Sequence, residues 1–231
     1  MEQLPLGVRL RAASTFASFR PGANAPLIAA LEARATMPGL APVFLYAAPG
    51  AGRTHLLQAP CALAGECDRR AGYLPLGAPW PLAEMTAGLE QLDVVCLDDL
   101  DRVAGDRAWE RALFALYNEL AERGGNLVVS ANAAPAALGV ALADLASRLA
   151  ACIVWQLRPL DEAEQGMALL MRARALGIGL PEETLLYLQR RLPRDLAALC
   201  DALDRLDAAA LSQQRRLTVP FVRSALQLTG D

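Results

Sequence analysis

The sequence predicts an α/β body built on a parallel sheet of five strands, followed by a small all-helical domain. Two observations carry this. Five short β-type runs alternate with helix-like segments up to Leu157, and no strand-like run follows Asp161. Several of the runs are continuously apolar, as strands covered on both faces are.

The runs are Val43–Ala47, Gly72–Leu76, Asp93–Leu97, Asn126–Ser130 and Cys152–Leu157. Helical spacing marks Thr54–Cys67, Pro81–Gln91 and Asp106–Arg123 between them. Beyond Pro159 it marks Glu162–Leu176, Glu182–Leu192, Asp195–Leu211 and Pro220–Leu228, with Gly177, Gly179, Pro181 and Pro193 as breaks. The expected division is an N-terminal peptide (1–14), an α/β domain (15–157) and a helical domain (158–231).

Composition narrows the function classes. With 231 residues and 54% hydrophobic content, a large core is easily filled. No apolar run reaches the roughly 18 residues that span a bilayer, and Met1-Glu2-Gln3 does not open a secretion signal, so no membrane partner and a cytoplasmic location are expected. Five cysteines stand singly and are read as small buried hydrophobes, and one histidine excludes a multi-histidine metal centre. Net charge is −3 and no basic run exceeds two residues, so the footprint of a tight DNA binder is missing. All 22 basic residues are arginine.

The chemistry concentrates at strand ends. The first strand runs into Ala47-Ala48-Pro49-Gly50-Ala51-Gly52-Arg53-Thr54-His55. A phosphate-binding loop needs glycines that let backbone N–H groups wrap an anion, a cation, and a hydroxyl for magnesium. Gly50, Gly52 and Thr54 fit, and the following helix N-terminus favours an anion. Ala47 stands where the first glycine belongs and Arg53 where lysine belongs. The third strand ends in Asp98-Asp99. Asp98 is placed to hold Mg2+ with Thr54, and Asp99 to orient an attacking water. A helix cap or plain solubility are the alternative roles for such acids. The fourth strand leads to Asn132, a polar side chain at the same edge of the sheet.

In this order the pieces resemble the DnaA/Hda family of AAA+ ATPases over nearly the whole chain. Phe16, Phe19 and Asn24 lie in a segment similar to the one that lines the family's adenine pocket. Pro49, Gly50, Ala51, Gly52, Arg53, Thr54 and His55 match its phosphate loop, including the histidine after threonine. Leu145-Ala146-Ser147-Arg148-Leu149 resembles the motif carrying the arginine finger, and Leu192-Pro193-Arg194-Asp195-Leu196 the lid motif whose arginine reaches the nucleotide. By the same resemblance Asn132 takes the sensor 1 role.

What the resemblance implies is a small regulatory member of the family. The sequence ends after the lid, so no counterpart of the initiator's DNA-binding domain is expected, and only Gly77–Leu92 lies where the initiator carries an additional assembly helix. Gln3-Leu4-Pro5-Leu6-Gly7-Val8 is similar to peptides that dock on the DNA polymerase sliding clamp, with Gln3 at a pocket rim and Leu4 and Leu6 in an apolar pocket. Gly7 replaces the usual bulky apolar residue. The expected ligands are ADP or ATP with Mg2+; the expected partners are DnaA and the clamp, with DNA reached only through the clamp. A homodimer is left open, as are two other functions: a loader or initiator with its own ATP cycle, and an interaction module without catalysis.

Overall fold

The computed structural model describes residues 14–78, 82–193, 195–213 and 217–227, the side chains of 211–213 excepted. Gln3, Leu4, Leu6 and Arg194 lie outside the described residues. Two compact units emerge. One holds Asn24–Pro49 and Arg53–Leu157; the other holds Ala17–Ala23, Gly50–Gly52 and the chain from Arg158.

The first unit is a five-stranded parallel sheet in the order β2-β3-β4-β1-β5. The strands are β1 (Val43–Tyr46), β2 (Ala71–Pro75), β3 (Val94–Asp98), β4 (Asn126–Ala131) and β5 (Ile153–Gln156), each within one or two residues of its predicted run. The helices are α1 (Ala25–Thr36), α2 (Arg53–Glu66), α3 (Arg107–Arg123) and α4 (Ala143–Ala150). Phe44, Val95, Leu97, Leu127 and Val129 join Trp109, Leu113, Leu116 and Leu120 of α3 and Leu145 and Leu149 of α4 in one core. Helices α2, α3 and α4 lie in the crossovers from β1 to β2, β3 to β4 and β4 to β5. Phe44 is fully buried, and trimming such a ring to alanine typically removes about 3–5 kcal/mol.

Helix ends follow from local chemistry. Asp106 Oδ1 accepts from the N–H groups of Ala108 (2.8 Å) and Trp109 (3.2 Å), starting α3. Gly124, at φ 72°, ends it in the left-handed conformation. The α4 N-terminus has no side-chain cap of its own. The buried Glu110 carboxylate replaces it, accepting from Ala141 N–H (2.8 Å), Leu142 N–H (2.7 Å) and Gly105 N–H (2.8 Å).

Three differences from expectation have physical causes. Helix α1 was not among the predicted elements; its alanines blur the apolar stripe that Leu27, Ile28 and Leu31 bury. The helix expected over Pro81–Gln91 is instead two 3-10 turns, Ala83–Thr86 and Leu89–Gln91, with Pro81 itself outside the described residues. Gly88 separates the turns at φ 91°, a value no helix accommodates. Finally, β5 is apolar but its Ile153 and Val154 are exposed, because it forms an edge of the sheet.

The second unit carries α5 (Glu162–Ala175), α6 (Glu182–Arg191), α7 (Leu196–Gln213) and α8 (Val219–Ala225). Their core joins Leu169, Leu188, Leu199, Leu203, Leu206 and Val222. Asp161 and Glu164 form a reciprocal capping box at the start of α5. The predicted helix start at Asp195 is the cap of α7, its Oδ1 accepting from Ala198 N–H at 2.7 Å. Arg172 grips Asp204 with a two-pronged ion pair at 2.6–3.0 Å.

Candidate functional site: a phosphate loop beside an internally paired acid cluster

Strand β4 lies between β1 and β3, so the loop after β1 and the acids ending β3 flank it at the same edge of the sheet. The loop turns through left-handed conformations at Gly50 (φ 82°) and Gly52 (φ 100°), which L side chains rarely adopt. A methyl group at Gly52 would stand 3.0 Å from Phe19 Cε2, and one at Gly50 would stand 3.1 Å from Asp195 Oδ1.

Arg53 opens α2. Its side chain is 11% exposed, with Nη1 donating to Ala47 O (2.9 Å) and Nη2 to Asp99 Oδ1 (2.7 Å). Asp99 takes φ 59°, ψ 51°, a left-handed conformation an aspartate tolerates. Burial and the adjacent Asp98 charge raise its pKa, against the pull of Arg53.

Asp98 is 1% exposed. A buried charge requires partners, and both carboxylate oxygens have one: Ser130 Oγ donates to Oδ1, and Tyr73 Oη donates to Oδ2 at 2.7 Å. Ser130 Oγ in turn accepts Asp99 N–H at 3.1 Å, and Gln58 hydrogen-bonds Tyr73. Burial first, then the Asp98 charge, push ionisation of the Tyr73 phenol far upward, so it remains a donor. Sequence reasoning missed Tyr73 and Ser130. The available signal was a lone hydroxyl in the otherwise apolar run Leu127-Val128-Val129-Ser130-Ala131.

The remaining predicted residues are placed as follows. Asn132 is exposed, its N–H donating to Asp101 Oδ1 at 2.8 Å. Thr54 is exposed at the first turn of α2. His55 Nε2 donates to Thr15 O at 2.8 Å, tying α2 to the chain just before Phe16. Asn24 is buried at the start of α1, Phe19 is buried, and Phe16, Pro49 and Ala51 are partly or fully accessible along the same stretches. Arg148 is exposed on α4, its guanidinium carbon 5.6 Å from the Tyr117 ring centroid.

A parallel sheet with a glycine loop after β1 and acids ending β3, followed in the chain by a helical unit, defines an AAA+ P-loop fold. The family described as "Hda, lid domain" matches residues 161–226, and that described as "Bacterial DnaA ATPAse domain" matches residues 82–156. The chain belongs to the DnaA/Hda family of AAA+ proteins. Among solved structures, domain III of the replication initiation protein DnaA from Thermotoga maritima is similar with a TM-score of 0.80 and 24% identity, over 95% of this chain and 98% of that one. AMPPCP-bound DnaA from Aquifex aeolicus follows with a TM-score of 0.66 and 20% identity, over 84% of this chain and 65% of that one. The RuvB Holliday junction branch migration motor of Thermotoga maritima has a TM-score of 0.61 and 16% identity, over 87% and 65%. No helix among the described residues is long and apolar enough to cross a membrane.

Proposed function

We propose that this DnaA-related replication regulator binds ADP or ATP through Gly50–Thr54, docks on the sliding clamp through Gln3, Leu4 and Leu6, and promotes hydrolysis of ATP held by DnaA. Arg148 is the finger in this reading. The observation that supports it most is the exposed guanidinium on α4, held over Tyr117 rather than engaged with Asp98 or Asp99. A residue serving a phosphate on another subunit has to be accessible. A guanidinium supplied in trans stabilises charge developing on the transferred phosphoryl group, an effect of order 10³–10⁵ in comparable nucleotidases.

The nucleotide assignment draws support from the loop glycines and from the likeness to a DnaA bound to AMPPCP. Slow turnover of the chain's own nucleotide accords with Asp99, the acid proposed to orient water, being paired with Arg53. By the family resemblance, Asn132 and Arg194 are the proposed sensors of the nucleotide's phosphate end.

The deciding experiment compares ATP turnover by DnaA alone, with this chain, and with this chain plus clamp loaded on DNA. Stimulation only in the last mixture is expected. Equal turnover in all three excludes the regulator role, and rapid turnover by this chain alone favours a loader or initiator with its own ATP cycle.

A further inference from the structure

We infer that adenine nucleotide binds this chain without a divalent cation, the Arg53 guanidinium supplying the positive charge that magnesium would otherwise bring. The inference rests on the nucleotide reading of the phosphate loop given above. Magnesium demands near-octahedral oxygen ligation at about 2.0–2.1 Å and is characteristically held by a carboxylate, directly or through its waters. Asp98 is the acid placed for that role, and its surroundings do not fit it. The residue is 1% exposed, and hydroxyls from two neighbouring strands, β2 and β4, hold its carboxylate.

From β4, Ser130 donates to Oδ1 and is itself held by Asp99 N–H at 3.1 Å. From β2, Tyr73 donates to Oδ2 at 2.7 Å, and Gln58 of α2 steadies Tyr73. Each carboxylate oxygen keeps a second lone pair, but at 1% exposure a metal, or a water on a metal, reaches it only by moving the buried groups packed around the carboxylate. The second carboxylate is no substitute, because Asp99 is committed to Arg53 at 2.7 Å.

Arg53 is equipped for the replacement. A guanidinium presents five N–H donors in a planar fork, and the contacts with Ala47 O and Asp99 engage two of them. It therefore has donors for phosphate oxygens while keeping the hold on Asp99. A lysine ammonium, with three donors at one point, cannot span both so readily.

The test is calorimetric titration of ADP into the full chain in magnesium and in EDTA. Dissociation constants agreeing within about threefold are expected. Weakening of more than about tenfold in EDTA overturns the inference while leaving nucleotide binding itself intact. Tyr73→Phe, checked for folding by circular dichroism, removes the donor to Oδ2. In that variant magnesium is expected to tighten ADP binding, by about tenfold or more. A variant as indifferent to magnesium as its parent refutes the role given to Tyr73 and Asp98. No ADP heat in either buffer is a distinct result, which removes the nucleotide reading and this inference with it.

Discussion

Arg53 Nη2 lies 2.7 Å from Asp99 Oδ1, so the cation of the phosphate loop and the second acid of β3 form one ion pair across the end of β4. Asp99 is only 29% exposed at its side chain, and burial together with Asp98 holds its carboxyl above the ordinary value despite Arg53. A carboxyl raised in the folded state favours folding most when protonated. Its contribution is fully present below the unfolded value of 3.8 and is lost as pH rises through the folded one. Asp99→Asn does not titrate, so its melting temperature is expected to gain on that of the parent as pH rises from about 3 to 7. Thermal unfolding across that range checks the sign; a difference that shrinks with pH contradicts it.

Glu110 gives the opposite sign. Burial raises its carboxyl, but N–H donors from Ala141, Gly105 and Leu142 together outweigh burial and hold it below the ordinary range. Its contribution is present above the unfolded value of 4.5 and is lost as pH falls through the lowered folded one. Glu110→Gln is expected to cost about 1–3 kcal/mol at neutral pH, since charged acceptors make the stronger hydrogen bonds. The cost shrinks in acid. Urea unfolding at neutral and acid pH measures it, and an equal cost at both contradicts the assignment of charge to this cap.

The sequence made the sheet legible because each central strand is an unbroken apolar run ending at a chemical landmark, as Val94–Leu97 ends at Asp98. The glycines of the loop were legible for the same reason. What brings Asp98 its partners was not. Tyr73 and Ser130 are 25 and 32 positions away in the chain, and their meeting depends on the order β2-β3-β4, which periodicity does not encode. Asn132 drew notice as the polar residue after β4, yet the hydroxyl on the acid pair belongs to Ser130, inside the strand. The arginine at position 53 was visible, whereas its pairing with Asp99 required three-dimensional placement.

The N-terminal peptide supplies a prediction separable from the fold. Gln3→Ala with Leu4→Ala removes the rim hydrogen bond and one apolar anchor proposed for the clamp pocket. Loss of clamp binding in surface plasmon resonance is expected, with melting temperature and ADP affinity unchanged. A double variant that holds the clamp as tightly as its parent rejects docking through this peptide.

Arg148 and Leu145 share α4 but face different surroundings, and that difference makes the finger testable. Leu145 and Leu149 are buried in the core at i,i+4 spacing, while Arg148 stands exposed over Tyr117. Leu145→Ala opens a cavity and is expected to destabilise the chain by about 2–5 kcal/mol. Arg148→Ala removes a single exposed cation–π contact, worth about 0.5–1 kcal/mol, and is expected to leave folding and ADP affinity intact. Its effect on DnaA turnover is expected to be far larger than its effect on stability. If the guanidinium acts on a phosphate of the partner, stimulation falls by about three orders of magnitude or to the detection limit. Arg148→Lys is expected to rescue poorly, because an ammonium cannot make the paired, planar hydrogen bonds of the guanidinium. Measuring DnaA ATP turnover with each variant, in the presence of clamp on DNA, separates the roles. Normal stimulation by Arg148→Ala would remove this residue from the mechanism.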